Sequence, residues 1–302
     1  MSRARAPGRV LLGISGWRYA PWRGVFYPEG LVQRRELEFA SRAFPTIELN
    51  GSFYSLQRPE LFAQWYDETP AAFVFSVKGG RYVTHVLRLR DARRALANFF
   101  ASGVLRLNEK LGPFLWQLPP TLRYEEERIE RFLAMLPHDT HAASALAAEH
   151  DDWMRERAWL DADARRPLRH AMEVRHDSFR NRDFVALLRR HRVALVVADS
   201  PGKWPVIEDV TSDFLYLRLH GEKELYASGY TDEALDRWAQ RVHTWRLGAE
   251  PPDAQRVDQV AAECVARDVY CYFDNDAKVR APFDAGALIA RVHALEQLPA
   301  RT

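Results

Sequence analysis

The decapeptide from His170 to Phe179 reads HAMEVRHDSF and carries the densest chemistry in the chain. Met172 and Val174 alternate with Glu173 and Arg175, which is the two-residue period of a strand. With the apolar pair packed outward against helices, Glu173 and Arg175 point into an interior, and His176 follows at the strand's C-terminal end. A carboxylate, a guanidinium and an imidazole issuing from one buried strand are costly unless paired or used. Together they suit proton transfer beside a bound anion.

The pattern recurs. Glu48 and Asn50, Ser76 and Lys78, Gln117, Asp199, and Arg218 and His220 each fall toward the end of an apolar, alternating stretch. Each has a structural alternative. Glu173 and Arg175 can be an ion pair, Asp199 can cap a turn before Pro201, His220 can donate to a carbonyl, and Lys78 can snorkel to a rim. Charged groups at the ends of at least five predicted strands nevertheless point to a shared pocket.

Eight strands position these groups. They are predicted at Val10–Trp17, Pro45–Asn50, Ala72–Lys78, Leu111–Leu118, His170–Arg175, Val193–Asp199, Asp213–His220 and Val269–Asp274. Nearly all are separated by helical patterns, the longest an amphipathic run over Asp91–Lys110. Such alternation, without repeat or Gly/Ser linker, predicts a single α/β domain over 1–302, a (β/α)8 TIM barrel with parallel strands and outer helices. The barrel occupies about 9–297, with an elaboration at about 137–167. An open doubly wound sheet is disfavoured, because Gly13-Ile14-Ser15-Gly16 lacks the dinucleotide spacing; no nicotinamide or flavin motif is present. Strand ends in a barrel gather at its C-terminal face, where such folds build active sites.

Lys plus Arg number 43 against 41 Asp plus Glu, so a net charge of +2 gives no global footprint for duplex DNA. Cys264 and Cys271 form no CxxC pair and read as reduced, buried thiols. No apolar run is long enough for a membrane span and the N-terminus has no signal-peptide core, so the chain is expected to be cytoplasmic. Trp17, Tyr19, Trp22, Phe53, Tyr54, Trp116 and Tyr230 are expected mostly to pack, those after the first two strands offering a stacking wall for a sugar ring or base.

SGWRYAPWRGVFYP, ELNGSFYSL, SVKGGRYVTH, LWQLPP, EVRHDSF, VVADS, LRLHG and YFDND occur in that order over almost the whole chain. Together they resemble the YecE-like proteins, a family of unknown function with a TIM-barrel fold. The resemblance implies a polar pocket containing Glu48, Asn50, Lys78, His85, Gln117, Glu173, Arg175, His176, Asp199, Arg218, His220 and Asn275. It implies no established reaction. Gly51-Ser52 replaces a frequent Ser-Thr pair, and Asp274 precedes Asn275 where two asparagines are frequent, an extra carboxylate that bears on metal or ligand preference.

The leading expectation is an enzyme acting by acid/base chemistry on a phosphorylated or otherwise anionic, sugar-containing small molecule. Arg175, Arg218 and Lys78 would hold the anion, Glu48, Glu173 or Asp199 would serve as base, and His176 or His220 would shuttle the proton. Lys78 as a Schiff-base nucleophile is a sub-case. Trp17, Tyr19, Asn50, His85, Gln117 and Asn275 complete the binding set. A divalent metal and phosphodiester cleavage on nucleic acid form the second reading, disfavoured by the lack of HxH or HExxH spacing and by the crowding cations. A non-catalytic protein binding an anionic metabolite is the third. Arg175 is expected to wait for an anion, so that its removal costs little stability. Raising the salt should weaken a bound anion only moderately, since a partly buried site is poorly screened; titrations at rising ionic strength check this. A steep log–log loss would mark a polynucleotide instead.

Overall fold

Runs rich in Val, Ile, Leu and aromatic residues, stopped by Gly, Pro or polar turns, become short strands. The computed structural model describes residues 6–297. Its strands are β1 (Val10–Ser15), β2 (Thr46–Leu49), β3 (Val74–Lys78), β4 (Leu111–Gln117), β5 (His170–Glu173), β6 (Val193–Asp199), β7 (Phe214–Leu219) and β8 (Asp268–Phe273). They are parallel and close into a barrel in sequence order, with helices around them. Among the described residues the chain divides into two compact units. One contains residues 16–18 and 32–179, and so β2 to β5; the other contains residues 6–15, 19–31 and 180–297, and so β1 and β6 to β8.

In the first unit, helices α1 (Glu36–Ala43), α2 (Gly51–Tyr54), α3 (Pro59–Glu68), α4 (Arg93–Ala101), α5 (Glu126–Met135) and α6 (Thr140–Ala147) follow in order. The predicted helix over 91–110 is broken. Helix α4 stops at Ala101, Gly103 turns left-handed at φ 103°, and a tight 3-10 stretch runs over Val104–Lys110. Glycine is required there because a Cβ would lie 2.4 Å from Pro59 Cα. Lys110, at the end of that stretch, buries its ammonium against the Tyr66 and Thr69 carbonyls, at 2.5 and 2.8 Å, and so caps the C-terminal end of α3.

The second unit adds α7 (Arg182–Arg190), α8 (Asp232–Arg246) and α9 (Ala281–Glu296). No helix joins β6 to β7. Residues 200–213 run irregularly, and buried Glu208 and Asp209 accept the backbone N–H groups of Gln255, Val257 and Asp258 from the segment before β8. Two carboxylates thus organise a stretch that has no ladder of its own. Cys271 is buried as expected, whereas Cys264 is exposed because it lies on that irregular segment.

Register assigns the faces. In the first unit Gln117 is level with Glu173, and Trp116 with Met172. Trp116 packs against Phe99 of α4 and Phe132 of α5, so its face meets the helices and the face of Gln117 and Glu173 is the barrel interior. His170 lies on the helix side, fully buried. Its Nδ1 accepts from Trp116 Nε1 at 3.2 Å and its Nε2 donates to the Pro137 carbonyl at 2.7 Å. Both nitrogens are committed, which fixes the neutral tautomer. Burial lowers its pKa from the ordinary 6.5 to about 4. A depressed histidine gives stability that is complete above pH 6.5 and is lost as pH falls toward 4. The full loss is on the order of 3 kcal/mol. Urea midpoints measured across that window should fall accordingly, and His170→Gln should flatten the slope; an unchanged slope would place the titration elsewhere.

Candidate active site at the strand ends

The interior face of the first unit is polar at its C-terminal end. Glu48 is level with Ser76, Lys78 with Leu115, and Gln117 with Glu173, so all these side chains share one face. Alternation read from sequence therefore places Glu48, Lys78, Gln117 and Glu173 together. Glu173 has no exposed surface. Gln117 Nε2 reaches both its carboxylate oxygens, at 3.1 and 3.2 Å, and Arg175 Nε donates to Oε1 at 2.6 Å. Strand β5 ends at Glu173, so Arg175 lies beyond the ladder and folds back on the carboxylate. This corrects the expectation of an arginine waiting for an anion, and it removes Glu173 from the candidates for a mobile base.

Lys78 sits with Nζ 4.4 Å over the Phe53 ring. The next residue must be Gly79, since a Cβ there would lie 2.3 Å from the Trp116 ring. Ser52 of α2 donates to the Lys78 carbonyl at 2.6 Å, which fixes α2 to the end of β3. Asn50 is the residue just before α2, close behind Glu48. His85, predicted on a polar loop, lies in a single wide turn over Tyr82–Val86. Its ring meets Phe53 edge-on at 5.2 Å, and Nδ1 is 2.9 Å from Thr84 Oγ1. Burial, with the charges of Arg81, Arg175 and Lys78, drives its pKa down to about 4. His85 is therefore neutral at pH 7, among three cations.

His176 is taken up locally. Its Nδ1 accepts from the Ser178 backbone N–H at 3.1 Å and lies 2.9 Å from Ser178 Oγ, inside the turn that follows β5. Trp17, expected to bind substrate, is buried edge-on against Trp65 of α3 at 5.5 Å and beside Phe75, on the helix side of the sheet. It packs.

In the second unit the inner face carries Tyr216, Arg218, Tyr270 and Tyr272. Arg218 is fully buried; Nη2 donates to Asp274 Oδ2 at 2.8 Å and lies 3.3 Å from Ser15 Oγ. His220 is held between Trp204 and Tyr226, both near perpendicular to its ring. Its Nδ1 lies 3.1 Å from the same Asp274 oxygen, and neither ring nitrogen makes a hydrogen bond among the described residues. Tyr19 donates to the Ser15 carbonyl at 2.6 Å.

Asp199 and Asn275 depart from the expected cluster. Asp199 is level with Leu219, whereas Arg218 is level with Ala198, so the two side chains leave on opposite faces. Asp199 Oδ2 accepts from Tyr230 at 3.0 Å and from Trp238 of α8 at 3.2 Å, and burial raises its pKa. Asn275 donates to Asp284 of α9 at 2.7 Å and to the Ser228 carbonyl. Both fasten strand ends to the helix layer.

Two charged groups escaped the sequence reading. Arg81 follows the Gly79-Gly80 pair and acts on His85. Asp276 is two residues past Asp274, and burial with the charge of Asp274 raises its pKa to about 6, against Tyr19 and Arg218. Asp276 lies in the turn beyond β8, where strand alternation gives no signal. Among the described residues no group of three or more His, Cys, Asp or Glu side chains is placed to hold a metal ion.

A closed parallel barrel with polar strand ends defines the class: a TIM-barrel protein. Within it, the chain belongs to the family described as protein of unknown function DUF72, whose model matches residues 11–302. A DUF72 family protein from Thermotoga maritima has the same fold, with a TM-score of 0.70 at 24% identity over 96% of this chain and 100% of that one. One from Enterococcus faecalis gives 0.66 at 16% identity, over 94% of this chain and 95% of that one. The UPF0759 protein YunF of Bacillus subtilis (strain 168) is 27% identical over 125 residues, covering 40% of this chain and 43% of YunF. UPF0759 protein YecE of Escherichia coli (strain K12) is 26% identical over 129 residues, 42% and 44% of the two chains. The chain thus matches under half the length of these curated relatives.

Arg175→Ala is now expected to destabilise strongly, on the order of 3–5 kcal/mol, because it strips a cation from a carboxylate with no exposed surface. Chemical denaturation beside wild type reads this directly, and a loss below about 1 kcal/mol would return Arg175 to the role of an idle anion site.

Proposed function

We propose that this chain is an enzyme that binds a phosphorylated, sugar-containing small molecule and moves a proton on it by acid/base chemistry. One observation carries the reading: the half-buried imidazole of His85, held neutral first by burial and then by the charges of Arg81, Arg175 and Lys78. Arg175 is paired with Glu173, so exposed Arg81 and Lys78 beside Phe53 are the cations that would meet an anion next to His85. His85 Nδ1 is engaged by Thr84, and Nε2 makes no hydrogen bond among the described residues. A neutral imidazole beside a bound anion can accept a proton from carbon or oxygen, while the neighbouring cations stabilise the developing negative charge. Glu173 orients Arg175, and Gln117 orients Glu173. Phe53 seats Lys78, and exposed Tyr54, edge-on to Phe53 at 5.1 Å, offers a face to a sugar ring. A non-catalytic metabolite binder would use the same cations, and turnover separates the two.

A thermal-shift screen of phosphorylated sugars, with and without EDTA, is the first test. A hit should be weakened about tenfold or more by Arg81→Ala. Its turnover should fall about 10²–10⁴-fold in His85→Ala while binding persists. The rate should rise with pH through about 4 and stay level through neutrality, since His85 must be unprotonated to act as base. A hit bound by wild type without turnover would establish the sensor reading, and a shift abolished by EDTA the metal-dependent one.

A further inference from the structure

On the outside of the first unit a groove of about 540 Å3 runs between the segment leading into α4 and the length of α5. Arg90 and Arg93 line one wall and Arg128 and Arg131 the other, with Leu89, Ala134 and Met135 among the lining residues; Asp91 and Glu125 are the acidic groups there. On the α5 wall Arg128 and Arg131 are three residues apart, the spacing that puts helical side chains on one face; on the other wall Arg93 opens α4 and Arg90 lies in the turn before it. We propose that this groove is a binding site for a small molecule bearing linked phosphates, separate from the cluster around His85.

Three features support it beyond the count of arginines. The backbone entering α4 is strained: Arg88, Leu89 and Asp91 have φ of 53°, 68° and 45°. Left-handed backbone is unfavourable for residues with a side chain, and such strain concentrates at ligand clamps. Here it is held by Arg88, whose guanidinium donates to Thr121 Oγ1 and its carbonyl at 3.0 and 2.8 Å, and by burial of Leu89; its outcome is that Arg90 stands exposed on the groove. Arg90 makes no ion pair among the described residues. Arg128 is only 12% exposed, and although it pairs with Glu125, its Nε is buried with no hydrogen-bond partner among the described residues. One of its five N–H groups is thus left without an acceptor.

The remaining arginines are paired with carboxylates at the surface. Arg131 pairs with Glu127 at 2.9 Å, both highly exposed, and Arg93 with Glu149. Exposed pairs of this kind contribute little and exchange readily for a doubly charged phosphate. Helix α4 has no acidic residue in its first turn, so its dipole adds to the positive side. The volume lies within the range of small-molecule sites, and the apolar lining lowers the dielectric beneath the guanidinium forks.

Calorimetric titration of the full chain with inorganic pyrophosphate tests this. Wild type should bind it, and the double variant Arg90→Glu/Arg131→Ala should weaken binding about tenfold or more with an unchanged melting temperature, since both side chains are exposed. Arg81→Ala should leave the affinity as it is. No binding to wild type at about 1 mM, equal binding by the double variant, or loss of binding in Arg81→Ala would each overturn the proposal. The last would place the anion at the His85 cluster instead.

Discussion

A carboxylate with no exposed surface sits at the end of β5, and much of the first unit is arranged so that Glu173 can be there. An ionised carboxylate taken out of water needs several donors in a fixed geometry. Gln117 supplies them from the neighbouring strand and Arg175 from the turn just beyond the ladder. The first demands the register that levels Gln117 with Glu173; the second demands that β5 be short. A one-residue slip of β4 would carry Trp116 into the interior and Gln117 onto the helices, and a slip of β5 would do the same with Met172 and Glu173. The ion pair is thus weak evidence of stability by itself, yet it is strong evidence of which register the sequence permits.

The second unit solves the same problem with the donor and acceptor exchanged. There the fully buried group is the guanidinium of Arg218 in β7, and the carboxylate, Asp274, lies just past the end of β8. In both cases one partner is in the ladder and the other in the first residues after it. The strand fixes the buried charge, and the looser residue beyond can turn to meet it. Strand C-terminal ends are where backbone pairing stops and side chains gain this freedom, which is why buried charges and candidate chemistry collect there.

This explains what was legible in the sequence. Period-two alternation placed Glu48, Lys78, Gln117 and Glu173 on one face because each is inside its ladder or at its last residue. It failed for Asp199 and Asn275, which a list of polar residues near strand ends cannot distinguish from the inward set. Asp199 obeys the alternation but with the outward parity of Val197, and its partners Tyr230 and Trp238 are more than thirty residues away. The predicted helix over 91–110 failed for another reason. Its apolar period continues past Ala101, but Pro59 packs so close to Gly103 that the chain must turn there. A tertiary contact overrode a local pattern.

Three histidines show why residue type alone could not assign roles. His170 and His85 both have pKa values lowered to about 4, chiefly by burial. His170 spends both ring nitrogens on Trp116 and the Pro137 carbonyl, so moving its proton would break the packing of the helix layer. His85 spends one nitrogen on Thr84 and is only half buried, so a proton can reach the other without dismantling anything. His220 is buried with neither nitrogen in hydrogen-bond geometry, beside a carboxylate already engaged by Arg218. The same side chain is thus a tautomer-locked strut at His170, a half-buried ring with one nitrogen uncommitted at His85, and a buried ring against a carboxylate at His220. What separates them is how many ring nitrogens the fold leaves uncommitted and whether water can reach them, and neither is written in the local sequence.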